Sequence, residues 1–576
     1  MGPSWKSERF IFRRGVFQGD PLSPTIFICV FNPLLEYLLS ESKHGYKLTP
    51  ESSIISTPFA DDFNVITTNS RTHQRILQNV EKFAKSMNLC LEPNKCKSLS
   101  VRSGVSKVVE FQLSDHAIGS ILDNPEKFLG SQITYHGKQN ETFDFVKTAI
   151  QKSLTNIDST NIREEYKLRV YSQYLLPAIR YKLTVHDITR TNLDRLDAMC
   201  DRYIKKWLKM PPSGTLAIIH CQEGLNIHRL SHIYEEAHAV SHASSRMKGD
   251  SKVNQALDSR LERESQWSRK GSVTLLSENH YLQATSTIPS EDHTGKYLEK
   301  VKNKIKDSVN NEVQTMWKDH IRTLTVQGRF LELIALEESA LTWRSIMFNL
   351  PRGILQFAVN AGIDTLATNA NLKRWGKRST AKCSHCKSRE TLHHTLNNCP
   401  VMLDRYLWRH NSVLWYLFHS IRENADVQTW EVSVDLPGHH KGNTTVPVNV
   451  TVTTLKPDMV LYSAQNNEVI LFELTVPFET NADNAHSMKV QRYQELINDI
   501  ESKGIRVFYY ATEIGSRGYI NKDNIQRLKD LLKQVKFTGR VKDTMTTISK
   551  ISLLSSFVIF HSKFEEQWIN PPYISV

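Results

Sequence analysis

The sequence predicts a multidomain α+β chain, and three observations carry that reading. At 576 residues the chain is too long for a single hydrophobic core. Mixed strand and helix signals at both ends flank a strongly helical middle. Three of the eight cysteines fall between Cys383 and Cys399 with histidines among them, which marks a small self-contained element.

The elements follow in order. Residues 1–135 mix strands and helices, 136–235 and 236–365 read as helical, 366–402 hold the cysteine cluster, and 403–576 return to a mixture. Within the helical part Tyr166, Val170, Tyr171, Tyr174 and Leu175 recur near the helical period. From about 236 to 330 the chain is charged and polar, and a loop is expected over 286–295. After 403 the pattern gives a helix, strands over 446–453, 459–462 and 469–476, a helix near 484–502, and a strand over 505–511.

Apolar residues make up 40% and charged residues 23%, as in an ordinary folded protein. The net charge of +13 favours a polyanionic partner. Eight cysteines in this length exclude a disulfide framework, and Cys29, Cys90, Cys96, Cys200 and Cys221 are expected to fill cores. No apolar signal region opens the chain, and Asn32, Pro33 and Glu36 interrupt the apolar stretch at 25–39. The run at 551–560 is shorter than a membrane span. The expectation is a soluble intracellular protein with no membrane partner.

Three constellations carry chemistry. Gln18-Gly19-Asp20-Pro21-Leu22-Ser23-Pro24 is a turn running into an apolar helix, where Gly19 permits close backbone approach and the prolines start the helix. Forty residues on, Phe59-Ala60-Asp61-Asp62 places two carboxylates side by side at a hairpin tip. Their repulsion is relieved by a divalent cation, and paired cations clamp the oxygens of phosphoryl transfer.

The second constellation is Cys383-x2-Cys386-x7-His394-x4-Cys399. Two cysteines in a tight turn and a His-x4-Cys pair can close a tetrahedron, and thiolates with imidazole select zinc. His393 and His385 are rival ligands that spacing leaves open. Just before it, Lys373, Arg374, Lys377, Arg378 and Lys382 surround Trp375, a strip suited to a nucleic-acid backbone.

The third begins at Lys456-Pro457-Asp458, turns at Gln465-Asn466-Asn467, and returns through Glu473 between Phe472 and Leu474. A charge in so apolar a strand is costly unless it is paired or binds metal. Lys489 and Tyr493 lie four apart on the next helix and share its face.

Taken together, these segments resemble the polyproteins of site-specific non-long-terminal-repeat retrotransposons that carry a restriction-enzyme-like endonuclease. The resemblance implies the C-terminal part of a reverse-transcriptase palm over 1–135, a helical thumb over 136–235, a helical linker over 236–365, a zinc knuckle over 366–402 and the endonuclease over 403–576. It puts Gln18 and Gly19 at the template and nucleotide pocket, and Asp61 and Asp62 at a magnesium site. Leu91-Glu92-Pro93-Asn94-Lys95-Cys96 matches a lysine-bearing motif in which Lys95 protonates pyrophosphate. Phe128-Leu129-Gly130 matches the primer grip, and Phe59 stands where tyrosine is common.

In the knuckle the resemblance favours His394 with Cys383, Cys386 and Cys399 as zinc ligands. In the endonuclease it makes Asp458 and Glu473 magnesium ligands. Thr475 replaces the usual lysine, whose place is taken by Lys489 with Tyr493. Arg409-His410-Asn411 matches a further segment upstream. The implied activity is target-primed reverse transcription in the nucleus, with a DNA target and the element's RNA as partners. The palm's third carboxylate belongs on an earlier strand, and thirteen residues precede Arg14, so the polymerase is expected to be incomplete as given. The endonuclease is expected to nick DNA with magnesium. The alternative is a non-catalytic nucleic-acid-binding remnant or host-adopted protein, which binds without cutting.

Overall fold

The computed structural model describes residues 15–574 apart from 18, 51, 130 and the segments 123–125, 134–138, 268–271, 289–294, 337–340, 426–428 and 440–442. Gln18, Gly130 and most of the loop expected over 286–295 therefore lie outside the described residues. The chain divides into two compact units: Met1–Ile150 with Ala178–Asp194 and Ser231–Val309, and Gln151–Pro177 with Arg195–Leu230 and Asn310–Val576.

In the first unit, Pro24 lies in the opening turn of the helix Ser23–Ser40, where its fixed φ suits the helix and its missing N–H costs nothing. By length and composition this helix could cross a membrane. In the fold its Phe31, Leu34 and Leu38 pack with Ile76 and Val80 of the amphipathic helix Ser70–Ser86. Asn69 caps that second helix by accepting from the Arg71 N–H at 2.8 Å. The strands Ser56–Phe59 and Asp62–Val65 form a hairpin turning through Ala60, whose φ is 53°. Among the described residues, every strand pairing in this unit is two-stranded. The exposed Cys29 corrects the expected core role: its neighbours Ile28 and Val30 lie on the same outer part of the helix, 53% and 41% exposed. Cys90 is exposed as well, whereas Cys200 and Cys221 are buried as expected.

The second unit has a helical part with a polar centre. His220 Nε2 meets Asp201 Oδ1 at 2.9 Å, Arg229 donates to Asp201 Oδ2 at 2.8 Å, and the Trp317 ring stacks on His220. These contacts offset the burial of the Asp201 charge. The C-terminal part is built on a four-stranded sheet in the order Glu431–Val434, Met459–Ser463, Glu468–Thr475, Arg506–Glu513. The first two pairings are antiparallel and the last is parallel. A parallel neighbour needs a crossover, and the helix Ala482–Ser502 supplies it.

Alternation along Glu468–Thr475 divides the core. Ile470, Phe472 and Leu474 join a layer with the helices Leu403–Asn424, Lys522–Gln534 and Val541–His561. Val469 and Leu471 face Tyr493, Leu496 and Ile500 of the crossover helix. The run at 551–560 is the inner part of a core helix.

One expected strand is absent. Residues 446–453 form a turn in which the Val450 N–H donates to the Pro447 carbonyl at 2.9 Å. Val446 and Val450 are buried, but Val448 and Val452 are 78% and 86% exposed. Burial every fourth residue is not strand alternation, and Pro447 has no N–H to give a ladder. The sheet takes Glu431–Val434 as its edge instead, a stretch too short for its period to stand out.

Candidate functional site

The register of the hairpin sets the geometry. Met459 pairs with Phe472, so one step outward Asp458 stands opposite Glu473, with both side chains on one face. The Asp458 N–H donates to Glu473 Oε1 at 3.2 Å, and the Leu474 N–H donates to Asp458 Oδ2 at 2.7 Å. From the crossover helix the Lys489 ammonium pairs with Glu473 Oε2, and the Tyr493 hydroxyl donates to the Lys456 carbonyl at 3.1 Å. The four residues singled out in this region therefore converge.

His410 completes the cluster from the opposite layer. Its Nε2 lies 3.3 Å from Asp458 Oδ2 and 3.2 Å from the Leu474 carbonyl, and its Nδ1 lies 3.0 Å from Asn411 Oδ1. With acceptors at both nitrogens the ring favours its charged form. Burial opposes that charge, yet Asp458 and the hydrogen bonds raise the pKa to about 9. Asp458 shows the reciprocal effect: burial pushes its carboxyl up, but His410, Lys489 and the Leu474 N–H hold it below the usual value. Glu473 is 1% exposed, and burial together with the Asp458 charge lifts it to about 7 against the pull of Lys489. Burial and Glu473 also raise the Tyr493 phenol.

The result is two carboxylates of unequal basicity on one face, the pattern that separates roles in acid–base chemistry. The set fits a hard divalent cation, because two oxygen donors from adjacent strands face each other with mutual repulsion to be neutralised. Arg409 does something different from its neighbour. It is buried, donates to Ser556 Oγ at 3.0 Å and to the Val476 carbonyl at 3.1 Å, and burial lowers it to about 10. It anchors the chain just beyond Glu473.

The cysteine cluster also assembles. The ligand atoms of Cys383, Cys386, His394 and Cys399 all lie within 4.8 Å of one another. Cys386 Sγ is 3.3 Å from His394 Nε2 and 3.9 Å from Cys399 Sγ. A tetrahedron with ordinary zinc bond lengths has edges of about 3.5–3.8 Å, so this set fits zinc. Burial opposes ionisation of Cys386, but the Ser388 N–H and neighbouring thiols outweigh it and lower its pKa. Burial pushes the Cys399 thiol up to about 12.

The rival histidines are engaged elsewhere: His385 Nε2 meets the Lys563 carbonyl at 2.6 Å, and the His393 ring packs on Phe478. One wide helical turn, His394–Asn398, carries both a ligand and Asn397, whose amide donates to the Val476 carbonyl at 2.7 Å. The buried pair Lys563–Glu390, at 2.8 Å, ties the same element to the C-terminal helix.

In the strip before it, Lys373, Arg374, Lys377, Arg378 and Lys382 are exposed. Arg374 and Arg378 are each braced on an asparagine, Asn371 and Asn369, and Trp375 is half-buried.

In the first unit Asp61 and Asp62 are exposed at their hairpin tip, and Lys95 is exposed in a short turn. Gly19 has a φ of 92°, which its lack of a Cβ allows. Phe128 ends a strand, Leu129 turns the chain with a φ of 47°, and its carbonyl accepts from the Tyr181 hydroxyl at 2.7 Å.

Sequence reasoning passed over His486 and Glu513, which meet at 3.1 Å beside this cluster. The three-residue spacing from His486 to Lys489 was the signal available.

Residues 2–142 match the family described as reverse transcriptase (RNA-dependent DNA polymerase). Over 98% of its length the chain is 23% identical to the retrovirus-related Pol polyprotein from the type-2 retrotransposable element R2DM of Drosophila melanogaster, covering 50% of that protein. Similar polyproteins from type-1 elements R2 are 22% identical in Nasonia vitripennis, over 83% of this chain and 42% of the relative, and 23% identical in Popillia japonica, over 83% and 73%. The chain spans about half the length of the first two of these relatives. The match runs over nearly the whole chain with the reverse-transcriptase segment at its start, and makes the chain similar to the polyproteins of non-long-terminal-repeat R2 retrotransposable elements.

Proposed function

We propose that the chain serves target-primed reverse transcription, with a DNA-nicking centre at Asp458 and Glu473 in its C-terminal domain. The observation that carries this reading is the facing of those two carboxylates across one hairpin, with Lys489 on Glu473. Asp458 and Glu473 would hold magnesium, which when bound acidifies water and polarises the scissile phosphate. Around it the chain's own groups divide the work. His410 and the Leu474 N–H fix the Asp458 carboxylate in its charged form. The Asp458 N–H fixes one oxygen of Glu473 and turns the carboxylate toward Asp458 as the second ligand. The Lys489 ammonium orients Glu473 and adds positive charge near the phosphodiester, and Tyr493 fixes the carbonyl two residues before Asp458. Cutting would free the 3′-hydroxyl that primes copying.

The remaining assignments belong to the same reading. Residues 1–135 form the palm part, with Asp61 and Asp62 at its metal site, Lys95 as proton donor, Gln18 and Gly19 at the template, and Phe128, Leu129 and Gly130 as primer grip. Residues 136–235 are the thumb and 236–365 the linker. Over 366–402 the zinc knuckle and its basic strip bind nucleic acid, and 403–576 form the nuclease, acting in the nucleus.

Nicking of supercoiled plasmid by purified protein with magnesium tests the centre. We expect nicking that the Asp458→Ala/Glu473→Ala double variant lacks; equal nicking by both proteins rejects the assignment. The exposed basic strip supports one other outcome, salt-sensitive binding without cleavage.

A further inference from the structure

The crossover helix does more than deliver Lys489. Three of its residues, His486, Lys489 and Tyr493, lie on one stripe, and each meets a different segment of the sheet's end. Tyr493 reaches the Lys456 carbonyl at the approach to Met459–Ser463, Lys489 reaches Glu473, and His486 reaches Glu513 on the parallel strand Arg506–Glu513. Thr475 pairs with Glu513 in that register, so Glu513 lies on the same face as Glu473, displaced two residues along the strand. The carboxyl ends of parallel strands, where a crossover helix begins, are the usual place for a ligand crevice.

Glu513 is 3% exposed, and its surroundings are fully specified. Its Oε1 faces His486 Nδ1 at 3.1 Å, its Oε2 accepts from Arg527 at 3.3 Å, and its N–H donates to Asn524 Oδ1 at 3.0 Å. Arg527 is itself held by Asn524 Oδ1 at 2.9 Å. A buried carboxylate so braced fixes the imidazole through one nitrogen, as an orienting partner does in carboxylate–histidine pairs. With Nδ1 on Glu513, the ring directs Nε2 away from that carboxylate. Among the described residues Nε2 makes no hydrogen bond, and the His486 side chain keeps 29% exposure.

We propose that His486, oriented by Glu513, contacts a backbone phosphate of the DNA strand next to the cutting centre and positions that strand for attack. The inference rests on the nuclease reading. It gives the crossover helix a complete division of labour, with Tyr493 fixing the hairpin approach, Lys489 orienting Glu473 and His486 meeting substrate. The preferred ligand chemistry is a phosphodiester: in the imidazolium form, with Nδ1–H held on the Glu513 carboxylate, Nε2–H is a directional donor to an anionic phosphate oxygen.

The test is steady-state nicking of supercoiled plasmid with magnesium, using the full chain with His486→Ala, His486→Gln and Glu513→Gln alongside the Asp458→Ala/Glu473→Ala control. His486→Ala should raise KM for DNA about tenfold, the worth of one charge-assisted hydrogen bond, and leave kcat and zinc content at wild-type values. His486→Gln, which keeps a donor, should recover part of that loss, and Glu513→Gln should fall between. Wild-type KM in His486→Ala overturns the proposal while the control is inactive, and it leaves the nuclease reading standing. A loss confined to kcat overturns it too, since the ring would then act in the chemical step. Equal nicking by wild type and the control sinks both readings.

Discussion

Asp61 and Asp62 stand at the exposed tip of a hairpin, whereas Asp458 and Glu473 face each other inside a four-stranded sheet. At the tip, water screens the two charges, and among the described residues no side-chain hydrogen bond or ion pair reaches either carboxylate. Inside the sheet each carboxylate has named partners: His410 and the Leu474 N–H for Asp458, Lys489 and the Asp458 N–H for Glu473. Neighbours in sequence thus end up nearly unsupported, and residues fifteen apart end up as a built pair. An acidic pair is legible as a site when the chain supplies groups to manage its charge.

The sharpest way to break this contrast is by activity. Asp458→Ala or Glu473→Ala should reduce plasmid nicking by about 10²–10⁴-fold, the scale of a lost acid–base group, while Asp61→Ala leaves nicking unchanged. Equal losses from both sites would erase the distinction between them. Next in size is the metal proposed for the cysteine cluster. If Cys383, Cys386, His394 and Cys399 hold zinc, Cys383→Ser and Cys399→Ser should each lose it and open the surrounding segment to protease, measured by atomic absorption and limited digestion. Retention of wild-type zinc by both variants would remove the ligand assignment.

A smaller effect concerns pH without divalent cation. Glu473 titrates near 7 in the folded chain against an ordinary 4.5, so the folded state holds that proton more tightly. Its contribution is full below about 4.5 and is lost as pH rises through 7, roughly 3 kcal/mol in all. Melting of wild type in chelator should therefore fall across this window relative to Glu473→Gln, and magnesium should restore it at the alkaline end. Parallel curves would show that the buried carboxyl is not held up as its surroundings imply. Smallest of all, Asp61→Ala should move stability by no more than about 0.5 kcal/mol, as exposed substitutions do.

Much of this architecture was readable in the residues. The strands around Asp458 and Glu473 and the helix bearing Lys489 lie where their hydrophobic periods put them, because long, two-faced elements announce themselves. The cysteine spacing was equally plain. His394 over its neighbours was not a matter of spacing: it follows from His385 meeting the Lys563 carbonyl and His393 lying on Phe478, contacts that span the chain. The error at 446–453 arose because Val446 and Val450 point inward from a turn, which mimics part of a strand pattern. His486 and Glu513 went unnoticed because only the parallel register brings them together, and a crossover pairing leaves no local trace in sequence.

The Val476 carbonyl accepts from Asn397 of the cysteine element and from Arg409 of the helix Leu403–Asn424. One oxygen thus has two guardians from separate segments. Asn397 has this one bond to lose, whereas the buried Arg409 also holds Ser556, so the asparagine is the cheaper of the two to replace while the arginine persists. Losing both would strip the oxygen bare and should cost more than the two separate losses added together.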